Sequence, residues 1–284
     1  MLSRSRTLTF VRDAFAALVA VGIMGPFAWM FITSVSAQRD LTSVPPTISL
    51  SGMSLERYAR ILTSASTSDI AYAFRVAMGN SVFVSVLVTA AALVFGSLAA
   101  YAFSRLRFRG REPLLLFMLF TYMAPPVVFV VPLYLVFQAL GMLNSRISLV
   151  LLYSSFVIPF IVWVMRGFFS SISRSYEDAA AMDGCTRLQA LVYVFVPMTR
   201  PGIVATGILA FLMAWDEFFM ALIFTSNLAA KTIPVAIAEF NGKFSIDYGM
   251  ICAGGVLASL PPVIIAVVFQ KYIVMGMTSG GVKE

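Results

Sequence analysis

Two places in the chain concentrate side chains that could do chemistry. The first is "AWDEFF", where Trp215, Asp216 and Glu217 stand inside an otherwise apolar stretch running from Pro201 to Ala230. A charge at the centre of a membrane helix disfavours insertion by roughly 2.5–3.5 kcal/mol. Such groups therefore face a bundle interior or water unless they fall at a helix break. Three chemistries fit them. They could hydrogen-bond a polyhydroxylated sugar while Trp215 stacks on its apolar face, pair with a polar group such as Asn80 on another helix, or relay protons. The second place is "YEDAAAMDGC", Tyr176–Cys185, where Glu177, Asp178 and Asp183 bracket small residues between two long apolar spans. Its carboxylates could accept hydrogen bonds from a partner's Arg or Lys, and Ala179, Ala180 and Gly184 would let that partner come close. A solvated turn packed on the chain's own helices is the competing reading.

Several chemistries are excluded outright. The chain has no histidine, which removes Ser-His-Asp triads and His-ligated zinc. Its two cysteines, Cys185 and Cys252, make neither a disulfide framework nor a metal cluster. A phosphate-gripping loop needs Gly-Lys followed by Ser or Thr, and the one Gly-Lys pair, Gly242-Lys243, is followed by Phe244. The net charge of +7 gathers in Arg4, Arg6 and Arg12 and in Arg105, Arg107, Arg109 and Arg111. Clusters beside apolar spans signal membrane orientation rather than nucleic-acid recognition.

The elements that must hold these residues are membrane helices. The chain is 60% hydrophobic and 12% charged, with a mean hydropathy of +0.91. Its uncharged runs are Ala14–Gln38, Val76–Ser104, Pro113–Ser145, Ile147–Met165, Pro201–Ala230 broken at the two acids, and Tyr248–Gln270. Crossing hydrocarbon takes about 20 residues of helix, and the runs are continuous where a barrel strand would alternate. The expected fold is all-α and integral to the membrane, with six transmembrane helices in a single domain over 1–284. The first helix is expected over about 12–35, an outer segment over 36–75 and core helices over 76–275. The first apolar stretch exceeds the 7–15 residues of a signal-peptide core, so it reads as an uncleaved helix. The arginine clusters place both termini in the cytoplasm. In the outer segment, Leu55, Tyr58, Ala59 and Leu62 fall at helical spacing and predict a short amphipathic helix at the interface. A second outer segment, 225–248, carries turn residues Pro234, Asn241 and Gly242 and is long enough to protrude.

Local rules shape the acidic loop. Ser175 with Asp178 predicts a capped helix start, Ala179–Ala181 favours helix, and Gly184 suits a left-handed stop. Thr186 with Gln189 predicts a second capping box, opening a longer helix that runs towards Val196 before Pro197. The first helix is too short to be stable alone in water, so something should hold it.

"DAAAMDG", then nine residues, then "VFVP" resembles the EAA loop of ABC importer permeases. Asp178 takes that motif's Glu position, Ala179 and Ala180 its alanines, and Asp183 and Gly184 its Asp-Gly. "AYAFSRLRFRGR", "AWDEFFMALIF" and "FQKYIVMGMTSGGVKE" are similar to further stretches of the carbohydrate-uptake branch, the maltose-permease G-subunit type. The resemblance implies that the short helix, between helices 4 and 5, is a coupling helix. Its ATPase contacts would be Glu177, Asp178, Ala179, Ala180, Asp183 and Gly184. It further implies a second permease subunit, a cytoplasmic ATPase dimer carrying ATP and Mg, an extracytoplasmic sugar-binding protein and a bacterial inner-membrane location. No cofactor is expected on this chain. The translocation path would include Asn80, Trp215, Asp216 and Glu217, and the 225–248 segment would reach the binding protein. A disaccharide such as trehalose or maltose is the first expected cargo and glycerol-3-phosphate its competitor; no span places Lys or Arg deep in the bilayer, which tilts towards a neutral sugar. Three positions depart from the branch: Asp178 for Glu, Ser173 for Pro and Asp216 for Asn. The alternative is a proton-coupled secondary transporter using Asp216 and Glu217.

Overall fold

The computed structural model describes residues 2–47, 49, 52–67, 69–240 and 247–279, with side chains described between 9 and 272. The turn expected at Asn241 and Gly242 and the ending "GVKE" lie outside the described residues. All regular structure among the described residues is helical. In chain order the helices are α1 Leu2–Val35, α2 Gln38–Leu41, α3 Glu56–Thr63, α4 Ile70–Arg105, α5 Arg111–Met123, α6 Pro126–Ala139 and α7 Arg146–Ser171. They continue with α8 Ser175–Met182, α9 Arg187–Ala190, a π-helical turn Leu191–Phe195, α10 Val196–Met198 and α11 Arg200–Trp215. The last are α12 Phe219–Phe224, α13 Ile233–Ala238 and α14 Tyr248–Ser279.

Among the described residues, four helical stretches are long and apolar enough to cross a membrane: Thr9–Val35, Ile70–Arg105, Arg146–Ser171 and Tyr248–Tyr272. The remaining apolar runs are not single straight helices. Pro113–Ser145 divides into α5 and α6, bent by 90°. The cause is local: Ala124 precedes Pro125-Pro126, the residue before a proline is driven out of the helical region, and Ala124 has ψ 131. The other bent pair joins Arg187–Met198 to Arg200–Trp215 at 87°. Each pair, taken as one span, brings the number to six. Pro26, Pro132, Pro159 and Pro261-Pro262 stay inside helices, as prolines in membrane helices can.

The contacts separate two compact units, Met1–Arg75 with Ala236–Leu260, and Val76–Val235 with Pro261–Glu284. In the first, α3 ties down the end of α1. Arg57 donates to the Ser34 and Ser36 carbonyls at 3.0 and 2.7 Å, and the Tyr58 and Ser34 hydroxyls are 2.6 Å apart. The side chain that α3 buries is Ile61, whereas Leu55 and Leu62 are exposed. The expected apolar stripe is therefore displaced, because anchoring by Arg57 and Tyr58 sets which face turns inward. Asp69 caps α4, its Oδ1 accepting from the Ala71 amide at 3.0 Å. Arg60 grips the same carboxylate at 3.0 and 3.1 Å and the Ser64 hydroxyl donates to it at 2.7 Å. This fork, the amide and the hydroxyl hold the Asp69 carboxyl down to about 2.

The second unit is organised around α7, which packs against α5, α11 and α12. Its buried side includes Leu149, Leu152, Tyr153, Ile161, Val162, Met165 and Phe169. At Gly202 the α11 backbone comes so close that a Cβ would lie 2.6 Å from the Phe168 ring. Two asparagines pin the stretch after α12. Asn80 donates to the Leu228 and Lys231 carbonyls at 3.0 and 2.9 Å, and Asn144 Oδ1 accepts from the Ser226 and Asn227 amides at 2.5 and 3.2 Å.

Candidate functional site: a short helix between two turns

The acidic loop forms as a helix held between two backbone devices. The two-turn helix α8 ends at Gly184, which has φ +79. The Gly184 amide donates to the Ala181 carbonyl at 3.1 Å and the Cys185 amide to that of Ala180 at 2.9 Å. These are the two reversed bonds of a Schellman turn, which uses the left-handed region that glycine enters without a Cβ penalty. Thr186 then opens α9 with the expected capping box. Its hydroxyl accepts from the Gln189 amide at 3.3 Å, and Gln189 Oε1 accepts from the Thr186 amide at 2.7 Å. At the other end the expected Ser175–Asp178 box is not made. Ser175 is already the first helical residue, and Ser173 Oγ accepts its amide at 3.3 Å. The serine found where the branch favours proline supplies this contact.

The structure divides the six candidate contact residues. Asp178, Ala179, Asp183 and Gly184 are exposed. Ala180 is turned into the fold at 5% exposure. Glu177 is also turned inward, its Oε2 lying 3.9 Å from Arg105 Nη1. Sequence reasoning missed Met182, which is 90% exposed at the end of the helix, and Tyr176 in its first turn, also exposed. The available signal was an unpaired methionine among alanines and acids. The outward face thus combines two carboxylates with an apolar tip, the make-up of an interface core with a polar rim.

The second set lies at the break between α11 and α12. Asp216 ends α11 and is exposed, so both acids sit at an interruption rather than in a continuous helix. Glu217 caps α12, its carboxylate accepting from the Met220 and Ala221 amides at 2.9 and 3.2 Å. Trp215 is buried and stacked on Phe211 with ring centroids 5.4 Å apart. One indole face is therefore covered by the chain's own core. Asn80 is buried, and its amide is held by the Leu228 and Lys231 carbonyls, so it anchors a loop. Of the four path candidates, Asp216 alone presents a free polar face, beside half-exposed Phe218.

These helices, broken spans and short exposed helix define a multi-pass, all-α membrane protein. Residues 92–279 match the family described as binding-protein-dependent transport system inner membrane component, and the chain belongs to it. It is a permease of the ABC-transporter class, a transport subunit and not an enzyme. One relative is the sulfoquinovosyl glycerol transport system permease protein SmoH of Agrobacterium fabrum. It is 36% identical over 268 residues, covering 94% of this chain and 92% of the relative. Another is the trehalose/maltose transport system permease protein MalG of Thermococcus litoralis, 35% identical over 269 residues and covering 94% of each. In fold the chain is similar to a chain of a bacterial ABC transporter involved in the import of the acidic polysaccharide alginate. That likeness has a TM-score of 0.76 at 24% identity, covering 94% of this chain and 96% of the other.

Proposed function

We propose that this chain is one membrane subunit of an ATP-driven importer that carries a sugar, of about disaccharide size such as trehalose or maltose, across a bacterial inner membrane. The observation that carries the reading is α8: a helix too short to stand alone, fixed by a glycine turn and a capping box, with Asp178, Met182 and Asp183 outward. Such a device suits docking onto a separate protein, because the turns make the helix rigid and the exposed face is both apolar and charged. The proposed docking partner is a cytoplasmic ATPase dimer that binds ATP and Mg. The assembly would be completed by a second permease and an extracytoplasmic sugar-binding protein. In this reading each bent pair is one span, giving six crossings with both termini cytoplasmic, and 1–284 works as one transport domain.

ATP-driven closure of the ATPase dimer would then push α8 and, through it, α7 and α11. The relatives' names give trehalose/maltose and sulfoquinovosyl glycerol, a sulfonated sugar conjugate, which favours a polyhydroxylated cargo without fixing its charge, and Asp216 is the remaining candidate to hydrogen-bond it. The proton-coupled alternative loses support from the geometry of Glu217, whose two oxygens are engaged by backbone amides. The test is purification of the tagged chain from its native membranes in mild detergent, with and without Asp183→Lys. An ATPase and a second permease should accompany the unmodified chain, and the ATPase should be lost from the variant. A chain that transports alone, with no ATPase, would overturn the reading.

A further inference from the structure

Arg105, Arg107, Arg109 and Arg111 crowd the stretch from the end of α4 to the start of α5, a clustering that membrane orientation accounts for. One of them does something else. Arg107 and Arg109 are exposed, whereas the Arg105 side chain is only 3% exposed and sits at the junction of four elements. Arg105 is the last residue of α4. Its Nη2 donates to the Phe169 and Ile172 carbonyls, both at 2.5 Å, at the end of α7. The last carbonyls of a helix lack intrahelical donors and carry the negative end of its dipole, so a cation there satisfies them twice over. The guanidinium carbon lies 4.7 Å from the centroid of Phe195, in the π-helical turn, and Nη1 reaches towards Glu177 in the first turn of α8. One turn back on α4, Tyr101 meets Phe169 and Phe195 edge-on at 6.4 and 5.2 Å, and those two rings meet each other at 6.1 Å. A planar fork with several donors can bridge carbonyls, a ring face and a carboxylate together; an ammonium is a point charge that cannot.

We propose that Arg105 is a positioning residue, an internal strut that joins α8 to the ends of α4 and α7 and to the π-helical turn, so that these move as one body. Without it, α8 would be held to the membrane helices by the covalent loop, the packing of Ala180 and the approach of Glu177 to Tyr101 on α4. A push on α8 would then be absorbed locally. The inference rests on the reading of α8 as the helix that meets the ATPase, but its structural content does not need that partner.

The test uses spin labels on the full chain in lipid nanodiscs, at Leu98→Cys on α4 and Met182→Cys on α8, with both native cysteines replaced. The distance distribution should be narrow with Arg105 present. It should broaden markedly in Arg105→Gln, broaden less in Arg105→Lys, and change least in Glu177→Gln, because the 3.9 Å approach is the loosest of the contacts. A role confined to general stability would lower yield and melting temperature without widening the distribution. An unchanged distribution in Arg105→Gln, or in Arg105→Lys if Gln fails to insert, removes the strut. Co-purification separates the two readings. Arg105 touches none of the outward residues of α8, so Arg105→Gln should retain whatever ATPase the unmodified chain retains. If neither chain retains one, the docking reading fails while the label distances still decide the strut.

Discussion

Replacing Gly184 isolates the backbone from the surface. A Cβ built at Gly184 meets no atom within 4 Å, so neither crowding nor a lost cavity complicates the result. The whole effect comes from φ +79. A side chain in the left-handed region costs roughly 1–2 kcal/mol, most for β-branched residues and least for asparagine. The chain can escape that strain by abandoning the turn, which gives up the Gly184–Ala181 and Cys185–Ala180 bonds at about 1 kcal/mol each. Strain and bonds are therefore nearly balanced in Gly184→Val. The turn should then be formed in a minor to comparable fraction of molecules instead of nearly all. A membrane domain stable by about 5–15 kcal/mol survives such a loss.

The prediction is ordered. Affinity falls by the reciprocal of the fraction with the turn formed, so Gly184→Asn should keep nearly all of its affinity for the ATPase, Gly184→Ala should lose less than about twofold, and Gly184→Val about twofold to fivefold. All three should insert at the level of the unmodified chain. The assay is titration of the purified ATPase onto each permease in nanodiscs, normalised to inserted protein. A valine variant that binds as tightly as the glycine chain refutes the turn's role. An asparagine variant as weak as valine also refutes the reasoning, since a surface that simply needs a bare backbone would reject both alike.

Three further outcomes follow from contacts elsewhere. Gly202→Ala should destabilise the second unit by about 1–3 kcal/mol, read as a lower melting temperature in detergent, because its Cβ would sit 2.6 Å from the Phe168 ring. Glu217→Gln keeps an oxygen that can accept the α12 amides, so uptake of radiolabelled trehalose or maltose should change little. Glu217→Ala should lose about 1 kcal/mol of helix capping. Equal loss of uptake in both variants would revive proton relay. Asp69 has its carboxyl lowered from 3.8 to about 2, so its contribution is full above the ordinary value and is lost as pH falls through about 2. Amide exchange in α3 should stay slow from neutral pH to about pH 4 and quicken at neutral pH in Asp69→Asn; loosening of the natural chain between about pH 5 and pH 4 would contradict this.

What could be read from sequence was decided by near neighbours. The Gly184 stop, the Thr186–Gln189 box and the length of α8 depend on residues within one or two helical turns, and the structure has all three. The all-α membrane class depends on composition alone, and it too holds. What could not be read depends on which helix ends meet. Glu177, Asp178 and Asp183 look alike as a string of acids, yet Glu177 turns inward because Arg105 stands 72 residues earlier (177 − 105) at the end of another helix. Arg105 in turn looked like its neighbours Arg107 and Arg109, since burial leaves no mark on an arginine's identity. The Pro113–Ser145 run is uncharged throughout, and hydropathy averages over a break that two adjacent prolines impose at Ala124. The surroundings of Trp215 and Asn80 were hidden for a shared reason. Aromatic and amide groups in a membrane span suit a cargo and a core equally well, and here Phe211 and two backbone carbonyls already occupy them. The residues that survive as functional candidates are those whose polar or apolar faces the fold leaves unused: Asp178, Met182 and Asp183 at the tip of α8, and Asp216 at the break in the apolar run. The two sets sit on helices that Arg105 and α7 join, which is what an importer driven from one end requires.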